Sequence, residues 1–495
     1  MTLALPEPSV DAPGSAVATG PAEPAVDAAA KPPRASRSDL VEHVTVLSAI
    51  LWLVWPATVA SGARDSGSAA LLAVPTLAAL LATRPWHHLS GRSWLLAPLV
   101  AVAALLVLPL SGVGRSGAVA ALGYGLAAAF LVAVAAYART PARRTAVAAL
   151  LCAGGVAEFG WALVPWWGGG DPSKPMVGTY YWHNQLAVAL LLPALLGAHL
   201  AVAGRRPWRA VGWVAAPLAT AGVVLSTSRA TLACLVVGWV LVLLVSVIAS
   251  TARRTAVLRA LVVTLLALGV TLVLPGPPLF ASSASPLGGA AARSAAGETL
   301  DTNAAFRTEF WRESLDALRA RPLAGAGYGR LSQVAGPLVP KSWAKSPLSH
   351  SGPLQAFADG GLLLGIPVLL GLGTVVIGLL RRLRPRPGAG ADHALVVSAA
   401  LAGLALVAHS LVDIDWTYPG LAAQLAVVAG LVLAVRPAAR PADAPGTTGE
   451  ASSAGRAGLI AVGVLAVALA VGAGLAWGQQ FHISAGFSVT GEAHS

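Results

Sequence analysis

Residues 229–274 read RATLACLVVGWVLVLLVSVIASTARRTAVLRALVVTLLALGVTLVL. Two long apolar runs are joined there by a turn carrying Arg253, Arg254 and Arg259. A run of roughly 20 apolar residues matches the hydrocarbon core of a bilayer when it is helical. Lipid offers no partners to the backbone, so such a run must satisfy its own amides as an α-helix. The stretch therefore reads as a transmembrane hairpin whose turn lies on an arginine-rich face.

The pattern repeats in both directions. Spans fall near 43–61, 67–83, 93–111, 116–137, 145–166, 184–204, 208–226, 230–249, 257–274, 353–380, 392–412, 418–435 and 457–476, about thirteen in all. The chain is 56% hydrophobic and 11% charged, with a mean hydropathy of +0.72. Soluble domains carry about a quarter charged residues, so that class is excluded. The expected fold is an all-α integral membrane protein of about 12–14 transmembrane helices with one large, partly helical external loop.

The net charge of +12 does not point to nucleic acid, because the basic residues gather in alternate short loops. Arg84 and Arg92, Arg139, Arg143 and Arg144, Arg205, Arg206 and Arg209, Arg253, Arg254 and Arg259, then Arg381, Arg382, Arg384 and Arg386 mark one face. The loops between them hold only Arg64, Arg115, Lys174 and Arg229. The positive-inside rule then puts the N-terminal tail in the cytoplasm of a multi-pass cell-membrane protein and the long segment 275–351 outside. The expected organisation is a disordered cytoplasmic tail at 1–42, helices one to nine at 43–274, the external loop at 275–351 and helices ten to twelve at 352–436. A cytoplasmic linker at 437–456, a last span at 457–476 and a short external tail at 477–495 complete it.

With this topology the unusual polar residues fall on the external face. Trp166, Trp167, Asp171, Lys174, Tyr180, Tyr181, Trp182, His183 and Asn184 surround one span start, and Ser226, Thr227, Ser228 and Arg229 form a turn. The loop supplies Arg307, Trp311, Arg312, Lys341, Lys345 and His350, and Asp413 and Asp415 follow His409 and Ser410. Aromatic residues at span ends commonly anchor at the interface, and an arginine there commonly snorkels. Asn184 and His409, inside apolar helices, need polar partners or a wet cavity.

Phe306, Arg307, Phe310, Trp311, Arg312, Leu315, Leu318 and Arg319 recur at helical spacing and predict an amphipathic helix near the membrane surface. Gly325, Gly327 and Gly329 follow that helix rather than a strand, so they read as a tight turn and not as a dinucleotide fingerprint. Cys152 and Cys234 lie in separate spans, which leaves no disulfide framework or thiolate metal site. Asp413-x-Asp415 has the form of a nucleotide-sugar metal pair but sits on the face where such donors are absent, so no metal or other cofactor is expected.

The order of these motifs resembles the O-antigen ligase and polymerase superfamily of polytopic membrane glycosyltransferases. The resemblance runs from Tyr180 to Trp416. It rests on His183-Asn-Gln-Leu-Ala187, Ser228-Arg229, Arg307-Thr-Glu-Phe-Trp311, Pro322-Leu-Ala-Gly325-Ala-Gly-Tyr328-Gly329, His350-Ser-Gly-Pro-Leu-Gln355 and Asp359-Gly-Gly361. It implies a GT-C-like fold and transfer of a glycan from a polyprenyl-pyrophosphate carrier to a glycan or lipid acceptor among membrane lipids. It also implies catalytic roles for His350, Arg229 and Arg307. The glycine after Gly361 is Gly365, one residue later than in the family pattern.

The chemistry suits those residue types. Guanidinium forks hold phosphate bidentately and stay charged, and histidine titrates near neutrality, as a base for an acceptor hydroxyl must. Tyr180, Tyr181, His183, Asn184, Ser228, Arg312, Tyr328, Gln355, Asp413 and Asp415 are the candidate substrate-binding residues. The aromatic ones are expected to stack on sugar, and Asp413 and Asp415 to orient the acceptor or pair with Arg229. The apolar groove between spans is expected to hold the prenyl tail. Ligation and polymerisation both remain open, as do a transporter or flippase of lipid-linked glycans and a non-catalytic scaffold for envelope assembly.

Overall fold

A computed structural model describes residues 36–55, 63, 65–87, 92–110, 115–168, 175–180, 182–274, 300–334, 348–384, 390–434 and 448–487. Residues 1–35 of the predicted N-terminal tail, all of 275–299 and 335–347, and 437–447 of the predicted linker lie outside the described residues, as do Tyr181, Asp171, Lys174, Lys341 and Lys345. The protein is all-helical, with no strand among the described residues. In chain order the helices are α1 (Arg37–Val54), α2 (Ser66–Ala82), α3 (Leu96–Leu106), α4 (Arg115–Tyr137) and α5 (Pro141–Gly168). There follow α6 (His183–Ala203), α7 (Arg206–Leu225), α8 (Arg229–Ile248), α9 (Arg253–Val273) and α10 (Leu300–Ala320). The last are α11 (Gly352–Arg382), α12 (Ala391–Ser410), α13 (Pro419–Leu433) and α14 (Thr448–Phe487).

Ten of the described helices are long and apolar enough to cross a membrane. α3 and α13 are apolar but shorter. α14 begins inside the predicted linker and continues past the predicted last span. No proline lies between Pro445 and Phe487, so nothing in that stretch removes a backbone donor and breaks the helix.

α6 is apolar on all sides, and every residue from Gln185 to Val202 is buried. Such a helix belongs at the centre of a bundle, and α5, α7, α8, α9 and α12 pack around it. α8 and α9 turn an apolar stripe outward, including Val236, Val240, Leu244, Leu261, Leu265 and Leu272. Exposed carbon of this extent is the lipid-facing surface of a membrane protein. α4 lies against α2, α3, α13 and α14.

The arginine-rich loops are knit together by their own polar groups. Arg139 and Arg143 share Glu42 at 3.1 and 3.0 Å, and the buried Arg144 donates from Nε to Asp392 at 2.9 Å. Arg209 and Arg259 cap the carbonyls of Gly204 and Val202. Helix ends leave carbonyls without intrahelical partners, and guanidinium groups satisfy them here.

Candidate functional site

Opposite the arginine loops, α6 and α11 begin, α12 ends and α13 begins around one turn, residues 411–418. Its centre is Asp413, 1% exposed. Asn184, in the first turn of α6, donates from Nδ2 to Asp413 Oδ2 at 2.8 Å, and the backbone N–H of Ile414 donates to Oδ1 at 2.8 Å. Gln185 Nε2 lies 3.4 Å from both Asp413 Oδ1 and Asp415 Oδ1. Arg307 Nη2 stands 3.6 Å from Asp413 Oδ2, and His350 Nδ1 stands 3.7 Å from Oδ1. Two candidate catalytic side chains from different segments thus meet on one buried carboxylate.

Burial alone would raise the Asp413 carboxyl. The His350 imidazole, the charge of His409 and the Ile414 amide outweigh that and hold it down at about 2. Behind it Asp415, also 1% exposed, accepts from Ser410 Oγ at 3.1 Å and meets His409 Nδ1 at 2.8 Å. Asn184 and His409, the two polar residues that needed partners within apolar helices, find them in this pair of aspartates.

His350 is presented by its backbone. Its φ of +50° lies in the left-handed region that non-glycine residues rarely occupy, a local strain that the surroundings must hold. Phe310 stacks on the imidazole at 4.9 Å between ring centroids and 21° between planes. Trp311 Nε1 lies 3.4 Å from the His350 carbonyl. Below, the Ser349 amide and hydroxyl donate to Gln355 Oε1 at 2.7 and 3.1 Å, and Gln355 Nε2 donates to Asp359 at 2.9 Å. The Gln355 amide is therefore engaged in holding the histidine loop.

α10 is the amphipathic helix expected from the sequence. Arg307, Phe310 and Trp311 share one face by i, i+3 and i+4 spacing. Arg312 is on another face, paired with Glu309 at 2.9 Å and well exposed. Beyond α10, the glycine run docks on α11, which is broken at Gly361 (φ +57°). Four amides cross the gap: Ala326 to Ala358 O at 2.7 Å, Gly327 to Asp359 O at 2.8 Å, Leu362 to Pro322 O at 2.8 Å and Leu363 to Leu323 O at 3.2 Å. Gly325 (φ +62°) has no room for a side chain, since a Cβ would lie 2.6 Å from the Ala358 carbonyl oxygen. Tyr328 is buried and its hydroxyl donates to Ala104 O at 2.9 Å, with burial pushing its pKa up.

Arg229 is the first residue of α8, exposed, at the head of that helix's outward apolar stripe. Ser228 before it is buried, its hydroxyl 2.9 Å from that of Thr231, and Thr227 has φ +59°. His183 stacks on the exposed Trp182 at 5.7 Å. Tyr180 is 2% exposed, packed against Tyr418 at 6.2 Å and 3.4 Å from Gln424 Nε2. Its phenol pKa is raised by burial. It is a core residue in this structure. Phe310 and Gln185, absent from the sequence-based candidates, prove to be in the site. Their signals are the helical spacing of Phe310 from Arg307 and the position of Gln185 next to Asn184.

Among the described residues no group of three or more His, Cys, Asp or Glu is arranged to hold a metal ion. The site is an arginine, a strained histidine and a buried carboxylate at the end of an all-helical bundle with an apolar outer surface. Together with the ten long apolar helices they describe a polytopic membrane protein with a polar cluster at one end of its helices. Residues 213–369, about a third of the chain, match the family model described as O-Antigen ligase, a match that supports the O-antigen ligase/polymerase superfamily. The family implies a glycosyltransferase-like enzyme acting on lipid-linked glycans in a membrane. The matched segment contains Arg229, Arg307 and His350, whereas Asn184, Asp413 and Asp415 lie outside it. No curated protein matches the chain.

Proposed function

We propose that this protein transfers a glycan from a polyprenyl-pyrophosphate carrier to a glycan or lipid acceptor at the outer face of the cell membrane, with its N-terminus in the cytoplasm. The observation that carries the reading is the meeting of Arg307 and His350 on Asp413. Asp413 orients the imidazole through Nδ1, which leaves Nε2 for the acceptor hydroxyl. His350 takes the hydroxyl proton as the acceptor oxygen bonds to the anomeric carbon, and the bond from that carbon to the pyrophosphate oxygen breaks. General-base assistance of this kind is worth about 10²- to 10⁴-fold.

Arg307 and Arg229 hold the lipid pyrophosphate as charge builds on it. Arg307 Nε is buried without a hydrogen-bond partner among the described residues, a donor that an anionic oxygen would satisfy. The N-termini of α6 and α11 at the same turn add positive potential for an anion. Neither role calls for a nucleotide or a divalent cation, so transfer is expected to persist in a chelator.

The test is transfer by the full chain, reconstituted in membranes with a lipid-linked oligosaccharide donor, for wild type, His350→Ala and Arg229→Ala. Folded variants that lose transfer support the reading, and variants that match wild type overturn it. Envelope glycan analysis in cells then separates the reactions. Short lipid-linked units accumulate if polymerisation is lost, and long lipid-linked chains accumulate if ligation is lost.

A further inference from the structure

α3, α4, α11 and α13 enclose a cavity of about 480 Å³. It follows α11 from Val368 to Arg381, about 20 Å at 1.5 Å per residue. Leu131, Gly371 and Ile377 are among its largely apolar walls, and the Thr374 hydroxyl is engaged with Leu370 O. Tyr124 and Trp416 line the end near the candidate active site, and Trp94 and Arg381 line the other. Carbon walls of this kind hold hydrocarbon rather than water. Arg381 is exposed at the mouth, beside Arg382 and Arg384.

We propose that this groove binds one anionic diacyl phospholipid from the leaflet of the arginine-rich face, its phosphate on Arg381 and one acyl chain running toward Trp416. Basic pockets between transmembrane helices are suited to such headgroups, and Trp94 at the mouth is the residue type that favours the headgroup level. Charge decides against the prenyl tail of the proposed donor. Its pyrophosphate belongs with Arg307 and His350, at the end opposite the groove's own cation. The inner wall ties the lipid to the site, because Trp416 packs on Gly352 so closely that a Cβ there would lie 2.5 Å from the indole, two residues from His350.

The experiment is native mass spectrometry of the purified full chain, released from nanodiscs of equal phosphatidylglycerol and phosphatidylcholine, with a thermal melt to confirm folding. Wild type is expected to retain phosphatidylglycerol about fivefold over phosphatidylcholine, the preference one arginine near a headgroup supplies. Arg381→Gln should erase the preference. Gly371→Leu, at a position where an added Cβ has 3.7 Å to its nearest neighbour, should fill the groove and release the lipid. Equal retention of both lipids by wild type, an unchanged preference in Arg381→Gln, or a retained isoprenoid instead of phospholipid would each overturn the proposal. Arg381→Gln decides alone if Gly371→Leu fails to fold. The readout involves no glycan transfer, so it stands or falls separately from the proposed activity.

Discussion

Asn184 donates a 2.8 Å hydrogen bond to Asp413, joining the first turn of α6 to the turn after α12 across 229 residues of sequence. The most buried helix of the bundle thereby fixes the carboxylate on which Arg307 and His350 converge. Asp413→Asn is expected to abolish transfer and to cost about 3 kcal/mol, since it takes a buried carboxylate away from the partly buried Arg307 and from the imidazole it orients. Glycan transfer and thermal melting of the reconstituted variant measure the two losses separately.

Acid should act through the same residue. The Asp413 carboxyl is held at about 2, below the ordinary aspartate value of 3.8. A depressed carboxylate contributes stability that is fully present above its unfolded-state pKa and is lost as pH falls through the folded value. The melting temperature is therefore expected to fall between about pH 4 and pH 2. In Asp413→Asn that part of the profile should flatten, and an unchanged acid limb would show that other groups govern it.

Arg307 separates charge from geometry. Arg307→Ala should lower the transfer rate about 10²- to 10³-fold, as expected for loss of one electrostatic donor to a developing anion. Arg307→Lys restores charge without the planar fork and should recover only part of the rate. Full recovery in the lysine variant would reduce the role of Arg307 to that of a point charge.

The glycine contacts make a structural prediction. Gly361→Ala places a Cβ 2.5 Å from the Leu323 carbonyl carbon at a φ of +57°. Strained backbone of this kind costs about 1 to 3 kcal/mol. The expected result is a lower melting temperature and faster proteolysis after α10, with α10 itself still helical.

The bundle was legible in the sequence because bilayer thickness imposes one span length and loop arginines report one face. The details that escaped were those set by tertiary contact. Tyr180 has the composition of an entrance residue, yet its ring is packed in the core against Tyr418. Gln355 follows the histidine in a way that suggests a ligand contact, yet its amide is engaged by Ser349 and Asp359. Arg307 and Arg312 look alike in the linear pattern. Only the turn of α10 sends one toward Asp413 and leaves the other with Glu309. The convergence of residues 184, 307, 350 and 413 carries no local signal, since four distant segments supply it.

The seam between residues 322–327 and the break in α11 is sewn by main-chain amides and carbonyls. The seam depends on Gly325, Gly327 and Gly361 keeping their positive φ angles and on small side chains at the buried Ala326 and Ala358. Such a seam anchors the segment that follows α10 through backbone geometry rather than through side-chain chemistry.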